Sequence, residues 1–165
     1  MPRVLPNALG ADVLPVAELC AASRDGDLMR IDDGFVCVDE PDRAELRAEL
    51  LALELPRVPA ARHLIVMGWS AAWVFGALDH PPWQLEVCVR ADERASLWLP
   101  PRFRLRELRL TDPDEIRVAG LRVTTPARTL RELAGRGPIS PDLGPALARL
   151  ELIAASAAGQ PPLTR

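Results

Sequence analysis

Residues 116–134, IRVAGLRVTTPARTLRELA, hold the signals that decide the fold. Ile116–Val118 and Leu121–Val123 flank Ala119-Gly120, which predicts a tight β-hairpin. Thr124-Thr125-Pro126 follows at once. A threonine able to cap and a proline at the first helical position predict a helix start, with Leu130 and Leu133 on its apolar face and Gly135 to Gly137 at its end. Two strands running straight into a helix, in a chain with other helices and strands, give the α+β class.

Upstream, Phe103 to Leu110 alternates arginine with apolar residues, which predicts a strand; the slip of phase near Glu107 predicts a bulge. The loop before it, 91–101, contains Trp98 and two prolines. Gln84 to Val89 reads as a buried strand, and His63 to Met67 as a short one. Between them, Ser70 is placed to cap a helix running to about Leu78, closed before Pro81-Pro82. Nearer the N-terminus, Leu28–Ile31 and Phe35–Val38 flank Asp32-Asp33-Gly34, a second hairpin preceded by a helix over 11–23. Asp39-Glu40-Pro41 starts another helix, with Leu46, Leu50 and Leu53 inward and Pro56 as its stop. Ser140-Pro141 opens a last helix through Leu150 and Ile153, closed at Gly159. The organisation expected is a small helix-plus-hairpin module over 1–40, packed on a mixed α/β domain over 41–165.

The chain has 165 residues, and all 20 of its basic side chains are arginine. Without lysine there can be no Schiff-base lysine, no phosphate-loop lysine and no nuclease site built on carboxylates and lysine. Cys20, Cys37 and Cys88 lack the close spacing of a metal knuckle and sit among apolar residues, so they read as reduced thiols, which fits a cytoplasmic protein. The longest uncharged run, Leu64 to Leu78, is shorter than the roughly 20 residues a membrane span needs. The N-terminus has no sustained apolar core of a signal peptide.

The net charge of −3 hides a segregation. Residues 1–40 hold 3 arginines against 8 carboxylates, whereas 90–136 hold 11 arginines against 7. Only the later region can therefore offer phosphate or an acidic partner a basic surface. Its candidate contact residues are Arg102, Arg104, Arg106 and Arg109, with Arg128 near the helix start at Thr124-Thr125. Arg30 on the first hairpin is a further candidate. Trp69 and Trp73, four apart, would share a helix face; core packing is their expected role, and exposure would make them a protein interface. His63, Ser70, Asp79 and His80 are the right types for a hydrolytic triad, but Ser70 lacks the glycine-flanked elbow that exposes a nucleophile. No enzyme, cofactor or metal is expected.

Three pieces stand in a fixed order: LMRIDDGFVCV at 28–38, GWSAAWVFGAL at 68–78 followed by WQLEVCVR at 83–90, and the 116–134 stretch. Together they resemble the AbiEi-type antitoxin and transcriptional-regulator family of type IV toxin–antitoxin systems, common in actinobacteria. The resemblance spans roughly 11–135. It implies an N-terminal winged helix-turn-helix over 11–38 that binds operator DNA, and a following domain over 41–135 associated with antitoxin activity. The implied partners are DNA or a protein such as a cognate toxin. Two departures stand out. Only four residues separate Ser23 from Leu28, too few for a recognition helix of two to three turns, and the wing tip is acidic Asp32-Asp33 where phosphate contact asks for basic residues. The expected function is a non-enzymatic relative acting through macromolecular contacts, with DNA binding weakened or lost. The alternative is a protein-interaction module that does not touch DNA.

Overall fold

In the computed structural model, which describes residues 6–93, 97–136 and 143–158, Ala119 and Gly120 take left-handed φ values of 46° and 83°. Two successive positive φ values match the right-handed twist of the strands they join. The expected hairpin is thereby formed, and Thr125 accepts the Arg128 N–H at 3.3 Å to start the helix that follows. Helices and strands are mixed throughout, as the α+β reading requires. The chain divides into two compact units, Met1–Leu55 and Pro56–Arg165.

The first unit runs β1 (Ala8–Leu9), α1 (Val16–Asp25), β2 (Leu28–Ile31), β3 (Gly34–Cys37) and α2 (Ala44–Glu54). Its antiparallel sheet has the order β1-β3-β2, and Ile31 pairs with Gly34 across the Asp32-Asp33 turn. Leu9, Leu19, Leu28 and Phe35 form its core, with Val13, Leu14, Cys20 and Ala22 packed around them. Helix α1 begins later than the expected Ala11, because Pro15 has no N–H to donate and its ring clashes with the carbonyl four residues back. Residues 11–14 turn instead, with Val13 N–H bonded to Gly10 O at 2.9 Å. Helix α2 likewise starts after Pro41, at Ala44, with Arg43 as its extended N-cap. It packs on β1 and β3, so the boundary read from the sequence at residue 40 lies inside this unit.

The second unit contains β4 (Ile65–Val66), α3 (Gly68–Val74), β5 (Leu85–Arg90), β6 (Phe103–Leu108), β7 (Glu115–Val118), β8 (Leu121–Thr124), α4 (Pro126–Ala134) and α5 (Gly144–Ala158). The five-stranded sheet has the order β6-β5-β4-β8-β7. The β5–β6 and β4–β8 pairs are parallel, and the other two are antiparallel. Leu85, Val87 and Val123 lie in its buried centre. Helix α3 packs on β5 and β8, and α4 on α3 and α5. Ala72, Ala77, Leu133 and Leu150 form the helix–helix core, joined by Trp69, Phe75, Leu130, Leu147 and Ile153.

Two local expectations are corrected. Strand β6 carries no bulge: it pairs one-to-one with β5 from Leu85↔Phe103 to Arg90↔Leu108. The apparent slip of phase is the strand's end. Leu108 and Leu110 both pack on Ile65, Met67 and Cys88, and Arg90 holds the turn by donating to Leu110 O at 3.0 Å. Ser70 does not cap α3, which starts two residues earlier with Met67 as its N-cap. The expected opening of the last helix at Ser140-Pro141 and its closure at Gly159 lie outside the described residues.

Leu133 is fully buried between three helices, so truncation removes its transfer energy and leaves a cavity. Leu133→Ala should cost about 2–5 kcal/mol in urea unfolding. A loss below about 1 kcal/mol, the range of ordinary surface changes, would contradict this packing.

Candidate functional site

The arginine-rich stretch folds into two different environments. On β8 and α4 the arginines are neutralised locally, whereas Arg117 on β7 is exposed and, among the described residues, bonds to the Gly120 carbonyl alone. Asp114 sits in a 3-10 turn where Thr111 donates to it through both its backbone N–H (2.9 Å) and its hydroxyl (2.7 Å). The same oxygen accepts from Arg128 at 3.3 Å, and the other accepts from Arg131 at 2.8 Å. Arg128 also donates to Glu132 at 2.7 Å. The candidate Arg128 thus ties α4 to the turn that leads into β7, with its side chain largely covered. Arg122 is held in the same way, forked onto Glu115 at 3.0 Å to each oxygen and bonded to Glu93 at 3.1 Å. Arg90 pairs with Asp112 at 3.0 Å.

These pairs shift the groups involved. The Arg122 hydrogen bond, helped by His63, holds the Glu93 carboxyl below its ordinary range against desolvation. For Arg122 itself, burial opposes the charge but is outweighed by hydrogen bonds to Glu93 and Glu115, and its pKa is raised. Burial pushes the Cys88 thiol up to about 12, so it is an inert core thiol.

The second environment is β6, the edge strand of the sheet. Side chains of paired residues share a face, so the register places Arg104, Arg106 and Leu108 with Glu86, Cys88 and Arg90. Phe103, Leu105 and Glu107 take the opposite face. The alternation expected from the sequence is therefore real for Arg104 and Arg106, while Arg102 and Arg109 flank the strand. Among the described residues no ion pair engages Arg104, Arg106 or Arg109. Arg102 is half-buried, and that burial lowers its pKa.

The tryptophans split in a way the sequence did not signal by spacing. Trp73 is only 4% exposed and Trp69 packs in the helix–helix core, whereas Trp83 and Trp98 are 86% and 82% exposed. A legible cue was available: Trp83 follows Pro81-Pro82 and Trp98 precedes Pro100-Pro101, and proline-rich connectors run over the surface. In the first unit, Arg30 is exposed, lies 5.8 Å from the Phe35 ring centroid and faces Asp33 at 3.7 Å. Asp32, Asp33 and Glu54 bring their carboxylate oxygens within 4.8 Å of one another. Burial and the Asp33 charge raise the Glu54 pKa. The hairpin tip is therefore strongly acidic.

The residues considered for hydrolytic chemistry are each engaged elsewhere or exposed. The Ser70 hydroxyl is fully buried and accepts the Glu86 N–H at 2.8 Å. The Glu86 carboxylate in turn accepts the Trp69 N–H at 2.8 Å and Arg136 at 2.7 and 2.9 Å. Gly68, at φ +57°, lies so close that a Cβ there would collide with this carboxylate. His63 lies between Arg62 and Glu93, each at 3.1 Å. Asp79 pairs with Arg149 at 2.8 Å, and His80 is exposed.

A family model described as the AbiEi antitoxin C-terminal domain matches residues 64–160, more than half of the chain. It covers the five-stranded sheet and α3 to α5. No curated protein matches the chain. Among the described residues no helix is long and apolar enough to cross a membrane.

The Asp114 clamp has a pH signature. Its carboxyl is held below its ordinary value of 3.8, first by the Thr111 N–H, against desolvation, then by the Thr111 hydroxyl and the charges of Arg128 and Arg131. A depressed folded-state pKa contributes stability that is present above the unfolded value and lost as pH falls through the folded one. Unfolding free energy should therefore drop on acidification below about pH 5. Asp114→Asn should make that drop shallower and cost about 1–3 kcal/mol at pH 7. Parallel pH profiles for variant and parent would contradict the clamp.

Proposed function

The chain belongs to the AbiEi antitoxin C-terminal domain family, which relates it to toxin–antitoxin regulators, and from that premise we propose that it works without catalysis, through macromolecular contacts made by its second unit. The family match carries this reading. It is supported by the burial of Ser70 and the engagement of His63, which leave no positioned nucleophile and base among the described residues. The contact surface is the 90–128 region, with Arg104, Arg106 and Arg109 as its open cations. The compartment is the cytoplasm.

The first unit is a degenerate winged-helix-like module, and its DNA binding is weak or lost. Only α1 stands between β1 and the hairpin, so a separate helix to enter the major groove is missing from the described residues. The tip that would rest on phosphate carries Asp32 and Asp33, and Arg30 beside it is partly neutralised by Asp33. A second reading, a protein-interaction module with no DNA contact at all, is favoured by the two exposed tryptophans, since Trp and Arg dominate protein hot spots.

The test is fluorescence anisotropy of labelled DNA from the gene's own upstream region, with scrambled DNA as control, at two salt concentrations. The expected result is weak, salt-sensitive binding that does not distinguish the two sequences. Arg104→Gln with Arg106→Gln should weaken binding to both and flatten its salt dependence. Strong preference for the upstream DNA would contradict the weakened module. Unchanged binding in the double variant would remove these arginines as the nucleic-acid contact.

A further inference from the structure

Strand β6 is open on its outer side. Its inner side is fully paired with β5 over six residues, and among the described residues no strand lies beyond it. Its outward main-chain N–H and C=O groups therefore form a template for one more strand. Proteins guard such edges by shortening, bulging, covering or charging them. Strand β6 is in unbroken register and contains no proline, and its exposed arginines are the guard it carries among the described residues. The opposite edge, β7, is shorter, and Arg117 there bonds back to Gly120 O at 3.0 Å.

We propose that the β6 edge takes up an extended acidic segment of a protein partner as a sixth strand. Charge selects this occupant. Arg104 and Arg106 share one face, and with Arg109 they have no carboxylate partner among the described residues, in contrast to Arg90, Arg122, Arg128, Arg131 and Arg136. A second copy of the chain pairing through this edge would set arginine against arginine, which is destabilising. A strand with acidic residues at alternate positions sets carboxylates on that face and apolar side chains opposite Leu105, itself 38% exposed. The main chain argues for peptide over nucleic acid. A phosphodiester backbone supplies acceptors only, whereas an added strand satisfies the donors and acceptors of the edge together. Trp83 and Trp98, both exposed, lie in the connectors that lead into β5 and β6, and aromatic side chains of this kind serve as anchors for a protein partner.

The proposal rests on the reading that the 90–128 region is the contact surface, but its test uses no promoter DNA, so the two can fail separately. A capped, fluorescein-labelled ten-residue peptide of alternating Glu and Val is titrated onto the full chain. The controls are the same composition in two blocks, an alternating Lys–Val peptide, and oligo-thymidine. The alternating Glu–Val peptide should bind best and perturb tryptophan emission. Arg104→Glu with Arg106→Glu should weaken it about tenfold or more and confer binding of the Lys–Val peptide. These side chains lie on the open edge, and an unchanged thermal midpoint verifies the fold of the double variant. Absence of Glu–Val binding, equal binding of the block peptide, or indifference to charge reversal would overturn the proposal. Tighter binding of oligo-thymidine would also overturn it, assigning the edge to single-stranded nucleic acid.

Discussion

The second unit depends on one buried charge. Glu86 stands on β5, in the interior of the sheet, and ionised carboxylates are costly there unless paired and hydrogen-bonded. It is satisfied by the Trp69 N–H and by Arg136, which fixes where α3 begins and where the chain leaves α4. The neighbouring backbone must approach so closely that position 68 tolerates only glycine. Ser70 then closes the arrangement by accepting the Glu86 N–H. A pair of this kind contributes specificity of register more than net stability, because desolvation offsets much of its attraction. Its consequence for function is direct: the serine that composition alone offered as a nucleophile belongs to a structural lock.

A similar logic governs the arginines. Part of the arginine content of 90–136 is engaged in folding, since Arg122, Arg128 and Arg131 tie β8 and α4 to Glu115 on β7 and to Asp114 in the turn before it. Among the described residues of this region, Arg104, Arg106 and Arg109 along and just beyond β6, and Arg117 on β7, carry no ion pair. The region thus resolves into arginines held in a clamp and arginines along an outward edge, and those of the edge carry no ion pair among the described residues. That division supports the proposed role in macromolecular contact.

Much of this was legible where the determinants are local. The Ala119-Gly120 turn, the Thr125-Pro126 helix start and the Asp32-Asp33 turn each need only a few adjacent residues to specify their backbone. The family resemblance was carried by the same local signals. Long-range partners were not legible. Nothing near Ser70 in sequence announces that Glu86 will take over the capping of α3, and nothing near Arg128 announces Asp114. The bulge expected at Glu107 failed for a related reason: periodicity cannot tell a slipped strand from one that ends, and β6 ends because Arg90 ties down Leu110. Two helix starts were read too early, at α1 and α2, where Pro15 and Pro41 stand before the first helical residue.

The proposed role is contact through the β6 edge, with Ser70 serving as structure and not as a nucleophile. Growth of a host expressing the cognate toxin tests it most directly, with the parent chain, Ser70→Ala and Arg104→Glu/Arg106→Glu compared at matched amounts of soluble folded protein. The account predicts that Ser70→Ala still protects and that the charge-reversed edge does not. Loss of protection in Ser70→Ala, with full protection by the double variant, would contradict it.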